Sequence, residues 1–192
     1  GTIRRAARVA SPHGIPIVGV NLGRLGFMTE LGIDNALGNI SRYFHQENVT
    51  VENRSMVRVT VRSRSGDVTL DALNDVVVGR AGAPRLLHLD VSLNGVDLTR
   101  YSADAVVVAT ATGSTGYALA AGGPILHAAS SDVLVIPVAP HVSLSTPLVL
   151  PGDTTIGLKV ATDTPAVVSV DGLTDIQIDP DAEIEICDSP YQ

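Results

Sequence analysis

The sequence predicts an α/β domain over residues 1–47, followed by a β-rich, mainly antiparallel domain over residues 48–192. Three observations carry this. The first 47 residues hold a helical pattern, a continuous apolar run and a glycine-rich loop in that order, which is the grammar of an α/β unit. From about Asn48 the apolar residues recur at every second position, the period of a half-buried strand. Asn94-Gly95 and Asp171-Gly172 punctuate the alternating stretches, as tight hairpin turns needing positive φ do.

Thr2 to Ala10 is Ala/Arg-rich, with Ile3, Ala6, Ala7 and Val9 apolar, and reads as a helix broken by Pro12 and Gly14. "IPIVGV", Ile15 to Val20, reads as a buried parallel strand feeding the loop "NLGRLGF". Asp34 to Phe44 reads as a helix with Asp34 as N-cap and Ile33, Leu37, Ile40, Tyr43 and Phe44 on one face. "VTVENRSMVRVTVRSRSGDVTL" then alternates around a turn at Ser65-Gly66-Asp67, and "LDVSLNGVDL" makes a second hairpin. "ADAVVVAT" is a buried strand, followed by a short helix over Gly116 to Ala121. "SDVLVIPV", "TTIGLKV", "AVVSVDGLTDIQI" and "AEIEI" supply the remaining strands.

Composition narrows the function. With 45% hydrophobic residues and few aromatics, the core must be built from Val, Ile, Leu and Ala. A net charge of −7 makes nucleic acid and anionic membrane surfaces poor partners. Any phosphate must therefore be held locally, by backbone N–H groups, helix N-termini or a metal. The single Cys187 excludes an internal disulfide framework and a multi-cysteine metal site, and fits a reducing, cytoplasmic setting. No apolar run approaches ~20 residues, and no signal peptide is visible. The opening "GTIRRAARVA" reads as the interior of a domain rather than a natural start.

Four places could carry chemistry. "TATGSTGYALAAGG", Thr110 to Gly123, follows a strand and opens a helix; it reads either as an anion or ribose site or as a tight strand-to-helix connection. It has no lysine and matches neither the Walker A pattern, G-x-G-x-x-G nor G-x-S-x-G. Asn74 and Asp75 offer an amide and a carboxylate at the mouth of an apolar strand, for ribose hydroxyls and a hard metal, or else an Asx turn. In "NLGRLGF", Phe27 could stack on a flat ring, or turn into the core as the leucines do. Asp104 and Asp171 sit at strand ends, as hydroxyl ligands, caps or turn residues. His13, His45, His88, His127 and His141 lack metal-ligand spacing, so no metal ligand is assigned.

Taken in order, "IPIVGVNLGRLGFMTE", "ALNDVVV", "ADAVVVATATGSTGYALAAGGPI", "PVAPHVSLSTPLVLPGD" and "VSVDG" closely resemble the NAD kinase family and run through most of the chain. The resemblance implies ATP-dependent, Mg²⁺-dependent phosphorylation of the adenosine-ribose 2′-hydroxyl of NAD to NADP. It also implies a homo-oligomer, dimer or tetramer, sharing its sites across subunits. By motif, Asn74 would hold ribose hydroxyls, and Asp75, where the family usually has Glu, would position hydroxyl, water or metal. Thr115, Gly116 and Tyr117 stand where the family has Thr-Ala-Tyr contacting substrate, and Ala120 where it often has Ser. Ala111 replaces the usual Pro, and "STPLV" lacks the Arg common in that block. Asp104 and Phe27 would lie at the nicotinamide half, Ala139 at the adenine end, and Asp171 in the last dinucleotide-binding block. Gly1-Thr2 match the end of the family's Gly-Gly-Asp-Gly-Thr loop, placing its general-base Asp just before Gly1 in a longer protein with a truncated first domain. A non-catalytic NAD- or NADP-binding module and a lipid kinase of the same superfamily are the alternatives; "GSTGYALAAGGPI" and "NLGRLGF" argue against the latter.

Overall fold

The computed structural model describes residues 1–22, 28–29, 31–45, 49–64, 66–82, 86–141, 143–161, 165–180 and 182–192. The chain divides into two compact units, Gly1–Asn53 and Arg54–Gln192.

The first unit holds helix α1 (Thr2–Ala10), strands β1 (Val20–Asn21) and β2 (Leu31–Gly32), and helix α2 (Ile33–Phe44). β1 and β2 pair in parallel, Val20 opposite Leu31. The strand expected over Ile15–Val20 is thus reduced to its last residue, and Ile15, Ile17 and Val18 are exposed. A parallel strand is buried by neighbours on both edges and both faces, and here its described partner is two residues long. Helix α2 starts after Gly32, whose extended backbone makes it the N-cap, so Asp34 sits inside the first turn rather than at the cap. Its charge still complements the helix dipole there. The expected apolar face of α2 exists as a stripe but is not core: Ile33, Leu37, Ile40 and Phe44 are exposed, and Ala36 is the buried residue. Periodicity reports which residues share a face, not whether anything covers it.

The second unit is antiparallel throughout its paired strands. Its elements are β3 (Val57–Arg62), β4 (Val68–Ala72), β5 (Asp75–Arg80), β6 (Leu87–Leu93), β7 (Val96–Ala103), β8 (Ala105–Ala109), a one-turn helix α3 (Tyr117–Ala120), β9 (Val133–Val138), β10 (Leu148–Leu150), β11 (Ile156–Val160), β12 (Ala166–Val170), β13 (Thr174–Ile178) and β14 (Glu183–Asp188). Residues 49–56, which the alternation had placed in a strand, lie outside it. One six-stranded sheet runs β10-β9-β8-β5-β12-β13 and the other β4-β3-β14-β11-β6-β7. Their inner faces share one core, with Val76, Val78, Val106 and Val108 from the first sheet and Val59, Leu89, Leu158 and Ile186 from the second. The first sheet is also covered on its outer side, where Val107, Ala109, Leu134 and Ile136 pack with Ala118 of α3. All five residues of β8 are therefore buried, which is why "AVVVA" shows no alternation. The predicted hairpins are present: Asn94 and Gly95 join β6 to β7 with φ of 50° and 78°, and Asp171 and Gly172 join β12 to β13 with φ of 55° and 58°.

Candidate functional site

The end of β5 and the end of β8 lie side by side, with Asp75 opposite Ala109. The segments just outside this pair, Leu73-Asn74 and Thr110 to Tyr117, are therefore brought together by sheet register alone. Thr110 ties them. Its amide donates to the Asn74 carbonyl at 2.9 Å, and its hydroxyl donates to the Leu73 carbonyl at 2.6 Å while accepting the Gly113 amide at 3.1 Å. A tight 3-10 turn, Gly113–Thr115, follows. Gly113 lies so close to the Asn74 backbone that a Cβ there would fall 2.5 Å from the Asn74 carbonyl carbon.

This packing occupies several of the loop's own polar groups. The amides of Ser114 and Gly116 already donate to the carbonyls of Thr110 and Gly113. The Ser114 hydroxyl donates to the Ala111 carbonyl at 2.7 Å and accepts the Leu126 amide at 3.0 Å. Helix α3 is a single turn, too short to build a large dipole. The Ser114 and Gly116 amides are therefore not free to cradle an anion. What the loop presents outward is Thr115, partly exposed, then Gly116 and Tyr117, exposed, the latter at 45%. These are the three substrate positions that the motif pattern named. Ala120, on the same turn, is exposed as well.

Asn74 stands beside them. Its Nδ2 lies 3.8 Å from where a Cβ on Gly116 would be. Its Oδ1 is buried and has no hydrogen-bond partner among the described residues. A buried amide oxygen without a donor costs about 1–3 kcal/mol, so this atom is set for a donor that the described residues do not supply. Asp75 follows with its side chain 6% exposed, at the start of β5.

Asp171 does something the sequence did not suggest. It is 1% exposed and turns inward from the β12–β13 turn. Its carboxylate accepts the amides of Leu73 at 3.0 Å, Asn74 at 2.7 Å and Asp75 at 3.2 Å, and its own amide donates to the Asp75 carbonyl at 2.9 Å. Arg54 is a second residue missed from the sequence. Its Nη1 donates to the Thr112 hydroxyl at 3.5 Å, bringing a positive charge to a loop that has none. The two residues are 58 positions apart, so no local spacing could have signalled this.

Asp104 and Ala139 lie elsewhere. Asp104 precedes β8, at the opposite end from Thr110, which at ~3.4 Å per residue puts it ~20 Å away along the strand. There it pairs with Arg80 at 3.6 Å and donates its amide to the Val138 carbonyl. Ala139 follows β9 at the same end, with φ of 48°. The expected residues of the second unit thus form two groups, one at each end of β8. Gly1 belongs to the first unit, as the N-cap of α1, and Phe27 lies outside the described residues. Among the described residues no three His, Cys, Asp or Glu side chains come together to hold a metal ion.

The comparisons with known proteins concern the family of the chain. The ATP-NAD kinase N-terminal domain matches residues 1–48, and the ATP-NAD kinase C-terminal domain matches residues 73–192. An NAD kinase of Dehalococcoides mccartyi is 39% identical over 184 residues, covering 93% of this chain and 63% of that protein. An NAD kinase of Symbiobacterium thermophilum is 34% identical over the whole chain, which spans 68% of its length. Among solved structures, yeast NADH kinase complexed with NADH superposes with a TM-score of 0.91 at 28% identity, over 98% of this chain and 56% of that one. An NAD kinase from Archaeoglobus fulgidus in complex with ATP gives 0.75 at 28% identity, over 92% and 66%. These similarities place the chain in one protein family. It belongs to the ATP-NAD kinase family, whose two domains it matches in order, and it spans about six-tenths of the length of several of the curated relatives.

Proposed function

We propose that the full-length protein is an NAD kinase, transferring the γ-phosphoryl group of ATP, taken up with Mg²⁺, to the adenosine-ribose 2′-hydroxyl of NAD. The observation that carries this reading is the Oδ1 of Asn74, unpartnered among the described residues, beside Thr115, Gly116 and Tyr117 in a chain of this family. A carboxamide offers an acceptor and donors side by side, matching a vicinal ribose diol. Tyr117 supplies a half-exposed ring and hydroxyl for the same nucleoside. Asp75, next to Asn74, would help position the hydroxyl. Mg²⁺ would enter with ATP, where it would neutralise the phosphates. In the transfer the ribose oxygen forms a bond to the γ-phosphorus and the bond to the β–γ bridging oxygen breaks, releasing ADP. The hydroxyl proton goes to a carboxylate base.

The site's second group, Asp104 and Ala139 ~20 Å along β8, supports a shared site in a homo-oligomer, where one subunit's far end completes another's. The setting proposed is cytoplasmic.

A coupled dehydrogenase assay on the full-length protein with NAD, ATP and Mg²⁺ tests the reading, with NADP as the expected product. NAD binding without turnover would favour the non-catalytic module instead. Asn74→Ala should abolish most activity while the circular dichroism spectrum and melting temperature hold; an active variant would remove Asn74 from the ribose role.

A further inference from the structure

The turn that presents Asn74 has an unusual support. Three consecutive backbone amides, those of Leu73, Asn74 and Asp75, converge on one carboxylate contributed from 96 to 98 positions away. Asn74 and Asp75 share its Oδ1, and Leu73 takes Oδ2. The carboxylate reaches them because Asp171 adopts φ of 55°, a left-handed conformation that carries its side chain back under the β5 entrance. The reciprocal bond from the Asp171 amide to the Asp75 carbonyl fixes the two turns against each other. At 1% exposure this carboxylate does not face a ligand.

We propose that Asp171 is a positioning residue: its buried carboxylate gathers the Leu73–Asp75 amides and so sets the direction of the Asn74 side chain toward the dinucleotide ribose. This rests on the ribose role given to Asn74 above. The physical reason is that an anion accepting several backbone amides makes stronger, shorter bonds than a neutral acceptor, and holds a turn of otherwise soft φ/ψ in one geometry. The motif pattern placed Asp171 among the ligand contacts; the geometry assigns it to the support behind them.

The test uses the full-length protein and Asp171→Asn, which keeps the left-handed backbone accessible and the side-chain shape while removing the charge. Asp171→Gly, which accepts the same φ, removes the acceptor altogether. In Asp171→Asn the KM for NAD should rise about tenfold while the KM for ATP stays within about twofold, and amide exchange at residues 73–75 should accelerate. In an Asn74→Ala background the same substitution should change the KM for NAD by less than about twofold, because the support would have nothing left to aim. An undiminished effect in that background would show the carboxylate touching the ligand itself and overturn the proposal. Unchanged exchange at residues 73–75 would overturn it too, as would equal loss of both KM values in Asp171→Asn and Asp171→Gly together with a lowered melting temperature. A wild-type protein that turns over no NAD sinks the kinase reading alone; the support is then judged by amide exchange and by the same cycle run on calorimetric NAD affinity.

Discussion

Gly113→Ala is the sharpest probe of the way the loop is joined to β5. A Cβ at Gly113 would overlap the Asn74 carbonyl oxygen and come within 2.5 Å of its carbon and 2.9 Å of its Cα. All three are backbone atoms, so no side chain can swing aside. Either the 3-10 turn or the β5 entrance must move. Overpacking of this kind costs about 1–3 kcal/mol. The same displacement pulls the Asn74 carbonyl off the Thr110 amide, now at 2.9 Å, for roughly 1 kcal/mol more. The sum, roughly 2–4 kcal/mol, lowers the melting temperature of a unit this size by roughly 6–15 °C. Differential scanning calorimetry of the full-length protein reads this directly. Gly38→Ala in α2, where an added Cβ meets nothing within 4 Å, serves as the control and should not destabilise. A Gly113→Ala protein that melts within about 2 °C of wild type would refute the close approach of loop and strand.

Three further outcomes follow from buried and paired groups. Tyr101 is fully buried with its hydroxyl unpartnered among the described residues, so Tyr101→Phe should be neutral or stabilise by about 1 kcal/mol in urea unfolding; a loss of that size would mean the hydroxyl has a donor or acceptor. Burial first, and the nearby Glu185 charge second, push the Cys187 thiol above its ordinary value, so alkylation by iodoacetamide at pH 8 should be slower than for a free cysteine peptide and should climb only at higher pH. Equal rates at pH 8 would contradict this. The Arg100 side-chain bond holds the Asp90 carboxyl below its ordinary 3.8. Its contribution is therefore complete above the unfolded value and is lost as pH falls through the folded one, and Asp90→Asn should lower the urea midpoint at pH 6 but not at pH 2.5. The pair is exposed, so the effect is small, and a difference persisting at pH 2.5 would break the assignment.

Local chemistry made much of the β unit legible. Asn94-Gly95 and Asp171-Gly172 take the positive φ that their residue types accept most easily, and the alternation from Val57 to Val61 reads directly as buried and half-buried positions. The first unit was less legible, since Ile15–Val18 and the α2 stripe have the composition of buried elements without cover in that unit. At the candidate site, Asn74, Thr115, Gly116 and Tyr117, named through the order of motifs, lie close together in the structure. The use of Asp171 was not legible, because a turn aspartate looks the same whether its carboxylate faces water or three amides nearly a hundred residues away. β10 was also passed over: three residues beside Pro147 and Pro151 carry too short a pattern to read.

That separation sets an order on the making of the site. Asn74 leaves the ribosome 36 residues ahead of Thr110 and 97 ahead of Asp171. At roughly 5–20 residues per second, the turn waits about 2–7 s for the loop that buttresses it and about 5–20 s for its carboxylate. The turn around Asn74 therefore reaches its full hydrogen bonding only late in the synthesis of the β unit. A ligand that needs Asn74 in place can report on the nascent chain only once β12 and its turn have been made.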